Sequence, residues 1–125
     1  MGGFFGAVSR EDCVNDVFFG TDYHSHLGTQ RGGMAVLGPD GFSRRIHDIT
    51  NAQFRSKFEE ARLRFKGRAG IGVISDYEDQ PLLVTSHLGT YAIVTVSCIR
   101  NMGALARTLF AARRGHFAET GVCGI

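Results

Sequence analysis

The feature that most constrains this chain is the order in which two hydrophobic periods alternate along it. Short apolar runs suited to strands occupy 3–8, 34–37, 42–46, 69–75 and much of 81–96. Three stretches between and after them repeat their apolar residues every three to four positions, the period of a helix with one buried face. Turn-forming residues join neighbouring strands, GPDG at 38–41 and the segment His87 to Thr90. The predicted order is strand, helix, hairpin, helix, strand, hairpin, helix. Tightly connected strands run antiparallel, and helices arriving between groups of strands form separate layers on them. An α+β fold with antiparallel sheets follows, rather than a doubly wound parallel sheet.

Each predicted element has its own local chemistry. GFFGAV at 3–8 reads as a short, largely buried strand. Ser9 with Asp12 matches a capping box ahead of a helix whose Cys13, Val14, Val17 and Phe18 share a face. Thr50 or Asn51 is placed to cap a second helix, with Phe54, Phe58, Ala61 and Phe65 on one side and Gly67 beyond its end. The two glycines in AGIGVIS at 69–75 predict a bulge or a close backbone approach within a strand. Asn101 opens a third helix, with Met102, Leu105, Ala106, Leu109 and Phe110 along one stripe and Gly115 at its exit.

Composition excludes several classes of function. The net charge of +2 is spread out, apart from Arg44-Arg45 and Arg113-Arg114, so no basic stripe for nucleic acid is present. No apolar run reaches the ~20 residues that cross a bilayer, and no secretion signal is evident. Cys13, Cys98 and Cys123 form neither a disulfide framework nor a zinc pattern, which fits a reducing cytoplasm. His24 and His26, two apart, would share one face of a strand, but the sequence announces no third and fourth ligand. No metal or other cofactor is expected. GRAGIG at 67–72 lacks the Lys-Ser/Thr of a phosphate loop and precedes a strand.

Four segments carry a resemblance. GGFFGAVS behind Met1, HLGTQRGGMAVL at 26–37, GRAGIGVISDYEDQPLL at 67–83 and YAIVTVSCIRNMGALARTLF at 91–110 fall in the order of segments found in class II glutamine amidotransferases. Within that class the chain most resembles the N-terminal glutaminase domain of the amidophosphoribosyltransferases, and the match spans nearly all 125 residues. The resemblance implies a layered α-β-β-α fold of the N-terminal nucleophile hydrolase type. Active members expose a Cys behind the initiator Met. Its thiol attacks the glutamine side-chain amide, its own α-amine serves as base, and the released ammonia passes to phosphoribosyl pyrophosphate.

Carried onto this sequence, the resemblance places the nucleophile at Gly2, which has no side chain to form an acyl-enzyme. With Met1 attached, residue 2 lacks a free amine as well. The substrate-carboxylate Arg falls on Ser75, which cannot make a bidentate charge-assisted contact. The oxyanion Asn-Gly falls on Val96 and Ser97, a loss of about 3 kcal/mol in an otherwise competent site. Arg31-Gly32, Gly70 to Gly72, Gln80-Pro81 and Asn101 match the family, Arg31 and Gly32 on its substrate-binding side. The expectation is a family scaffold without glutaminase activity, whose remaining ligand would be a glutamine- or glutamate-like small molecule. Cys98, beside the altered oxyanion motif, is the candidate substitute nucleophile if the chain is an amidohydrolase.

The family's glutaminase domain continues past the point corresponding to Ile125, and its phosphoribosyltransferase domain lies further on. Residues 1–125 therefore read as the N-terminal part of that domain. Apolar sheet surface and strand edges would stand open, which favours a homo-oligomer or a purely interaction-based role.

Overall fold

The computed structural model describes residues 2–25 and 29–114. Its elements follow the predicted order: β1 (Gly3–Val8), α1 (Val14–Asp22), β2 (Arg31–Gly38), β3 (Gly41–Asp48), α2 (Phe54–Arg64), β4 (Ala69–Ser75), β5 (Leu82–Ser86), β6 (Gly89–Ile93) and α3 (Met102–Ala111). All described strand pairs are antiparallel. A four-stranded sheet runs β1-β4-β2-β3, and β5 pairs with β6 separately. The fold is α+β with antiparallel sheets, as expected.

The helix layer forms because two apolar stripes meet one face of the larger sheet. Val14, Val17 and Phe18 of α1 and Phe54, Phe58 and Ala61 of α2 enclose one core with Met34 and Val36 of β2 and Ile74 of β4. The Phe54 and Phe58 rings stack at 4.3 Å, and Phe18 leans on Phe54 at 5.7 Å. The strand glycines make this closeness possible. A side chain on Gly72 would overlap the Thr21 hydroxyl, and one on Gly70 would press Val17 at 3.1 Å. Of the two readings open for the 69–75 glycines, the close approach is what the sheet contains.

The β2–β3 hairpin, Arg31–Gly38 and Gly41–Asp48, is longer than the predicted 34–37 and 42–46. It closes on Pro39 and Asp40, with Gly41 at φ 113°. Two caps differ from expectation. Ser9 accepts the Glu11 amide at 3.1 Å and stays outside α1, whereas Asp12 accepts Val14 N–H at 3.0 Å and Gly67 N–H at 2.9 Å. The chain must first turn from β1, so Asp12 rather than Ser9 meets the helix start and fastens it to the far end of α2. At α2, Gln53 is the capping position and provides no side-chain bond; Thr50 turns back so that its amide reaches Asp48 Oδ1.

β1 is not the largely buried strand that its composition predicts. Among the described residues it is an edge strand, pairing with β4 alone, and it alternates between half-buried and exposed positions. Phe5 packs towards α1 at Gly20, while Phe4 is 56% and Val8 88% exposed on the opposite face. α3 departs in the same way. It begins after Asn101 as predicted, but it buries none of its residues. The exit predicted at Gly115 lies outside the described residues.

Candidate functional site

The sheet register collects the amidotransferase-like positions at one end. Gly3 pairs with Ile74, Gly32 with the same Ile74, and Arg31 lies between Ser75 of β4 and Asp48 of β3. Gly2 continues β1 beyond Gly3. A side chain there would overlap the Ile74 carbonyl oxygen and approach Ser75 Cα at 3.2 Å. Position 2 is thus a place where the β4 backbone has closed in on a residue without a Cβ. Beside it His24 covers Gly3, where an added Cβ would stand 2.6 Å from the imidazole ring.

Ser75 is buried, and its hydroxyl donates to the Glu78 carbonyl at 2.6 Å while its own carbonyl accepts the Gln30 amide at 3.2 Å. The hydroxyl is thus held by the turn that leaves β4, and the carbonyl by the residue that leads into β2. Arg31 meets Asp48 Oδ2 at 2.7 Å, and its Nε lies 3.3 Å from Asp79 Oδ1. That second approach is a charge contact without the alignment of a hydrogen bond. Hydrogen bonds from the Thr50 hydroxyl and amide, helped by Arg31, hold the Asp48 carboxyl below the usual carboxylate range. One guanidinium therefore faces two carboxylates, with Asp76 and Glu78 in the same turn. The local charge balance is acidic, which disfavours a second anionic ligand.

Gly32 belongs to packing. A Cβ there would sit 3.1 Å from Phe54 and 3.2 Å from Phe58, so the position serves the aromatic stack in the helix layer. Gly33 faces the other side, where a side chain would overlap the Gln80 carbonyl oxygen. Gln80 brings the oxyanion-motif region into the fold: its Oε1 accepts Thr95 N–H at 2.6 Å and its Nε2 donates to Thr95 O at 3.0 Å. Val96 follows half-buried, and Ser97 and Cys98 are exposed on the irregular stretch before α3. The structure thus brings Gly2, Ser75, Arg31 and Gly32 together at one sheet end. Val96 and Ser97 are held through Gln80 rather than by a strand of that sheet.

A cleft of about 760 Å³ lies on the helix side between the end of α1 and residues 49–55. The Asp22–Arg55 pair at 2.5 Å neutralises its charges, leaving Tyr23, Ser25, Thr50, Asn51 and Gln53 as its polar lining. Among the described residues no group of three His, Cys, Asp or Glu is placed to hold a metal ion. His26 lies outside them.

Sequence reasoning missed Asp48 and Asp79 as partners of Arg31. A signal for the first was present: centring the GPDG turn on residues 39 and 40 sets the hairpin register that places Arg31 opposite Asp48.

This geometry defines a class by architecture: an α+β fold of antiparallel sheets with helices layered on the larger one. Among solved structures the chain is similar to glutamine phosphoribosylpyrophosphate amidotransferase from B. subtilis, solved with ADP and GMP, at 18% identity and a TM-score of 0.73. That match covers 98% of this chain and 27% of the other. It is also similar to a structure described as the allosteric regulatory enzyme of purine biosynthesis, at 19% identity and a TM-score of 0.74, over 94% of this chain and 26% of that one. The chain spans about a quarter of the length of these structures. At such identities the likeness is one of fold. No family model matches the chain, and no curated protein matches it.

Proposed function

We propose that this chain is an amidotransferase-like domain that lacks glutaminase activity and acts as a scaffold, in a cytoplasmic setting suggested by its three widely spaced cysteines. One observation carries this reading. Position 2 is a glycine, and the Ile74 carbonyl occupies the space its side chain would need. The nucleophile is absent, and the backbone leaves no room for a simple replacement. Two further observations support it. Ser75 spends its hydroxyl on its own turn, and the guanidinium of Arg31, its neighbour across the sheet, is already held by Asp48 and Asp79. A glutamine- or glutamate-like ligand at this end would meet neither a free guanidinium nor a nucleophile.

The test is to incubate the full chain with glutamine and measure glutamate and ammonia. No release above buffer is expected. The Gly2→Cys variant is expected to stay inactive even with Met1 removed, because the carboxylate anchor and the oxyanion amide are missing too. Glutamine hydrolysis abolished by Cys98→Ala would overturn the reading in favour of Cys98 as nucleophile.

A second reading, self-association, is favoured by exposed apolar side chains. Phe4, Val8 and Leu37 stand on the sheet face away from the helices, and Leu105, Leu109 and Phe110 on α3. Light scattering tests it, and a monomer at high concentration counts against it. Among the described residues no helix is long and apolar enough to cross a membrane.

A further inference from the structure

We draw no further inference here: the strongest candidate, the cleft of about 760 Å³ between the end of α1 and residues 49–55, stands open only among the described residues, and nothing in the structure shows whether a ligand or a further stretch of chain fills it.

Discussion

Thr21 and Gly72 show how single residues set the spacing of this protein. Thr21 is fully buried in α1, its hydroxyl donates to the Val17 carbonyl at 2.6 Å, and it stands where a Cβ on Gly72 would lie. Gly72→Ala must therefore push α1 off the sheet, and urea denaturation should find it less stable by about 2 kcal/mol. His47 offers a prediction of another kind. Its ring packs edge-on against Phe58 at 4.9 Å, and burial, with Lys57 and Arg45 nearby, lowers its pKa below the ordinary 6.5 despite Glu60. A lowered folded pKa means the unfolded chain binds the proton more readily. Stability then falls as pH drops past 6.5 towards the folded value. The melting temperature should decline over that range, and His47→Gln should flatten the decline. Glycines at 70 and 72 announced a bulge or a close approach, and the structure contains the second. The engagement of Arg31 by Asp79 was not legible, because it depends on where the turn after β4 sends a residue 48 positions away.

The three helices divide by what their stripes meet. In α2 the residues Phe54, Phe58 and Ala61 are buried as their spacing predicts, and Arg62 lies over the Phe18 ring at 5.5 Å. In α3 an equally regular stripe is covered by nothing buried. Phe58→Ala should destabilise by about 3–5 kcal/mol, as loss of a stacked core ring does. Leu109→Ala should change stability by less than about 0.5 kcal/mol. Chemical denaturation of the two variants side by side checks both. This contrast explains which elements the sequence made legible. A 3.6-residue stripe reports that a face can be covered, and the turn residues report where strands reverse; both were read correctly for α1, α2 and the β2–β3 hairpin. Whether cover is at hand depends on long-range neighbours, and for β1 and α3 those neighbours are missing among the described residues. The Ser9 box failed for a related reason, since a capping motif cannot show how many residues the chain needs to turn first.

At the scale of the whole molecule, the amidotransferase-like frame depends on backbone closeness more than on functional side chains. Gly2 against Ile74, Gly33 against Gln80 and Gly67 against Leu37 are all places where main chain meets main chain. Among the residues that resemble the family in sequence, Gly32, Gly70 and Gly72 lie where helix side chains come close, and Gln80 lies against Gly33, contacts that hold the fold without any reacting group. Hydrogen bonds at the base of the β5–β6 hairpin help to join it and α3 to this frame: Gln80 to Thr95 and Arg44 to the Pro81 carbonyl. Gln80→Ala removes both bonds to Thr95, and nuclear spin relaxation should then find residues 82–114 reorienting faster than residues 31–75. A protease added to the same variant should cut between 94 and 100 well before it reaches the sheet. One glutamine side chain would thus act as a latch, dividing the polypeptide into a part that keeps its shape and a part free to swing.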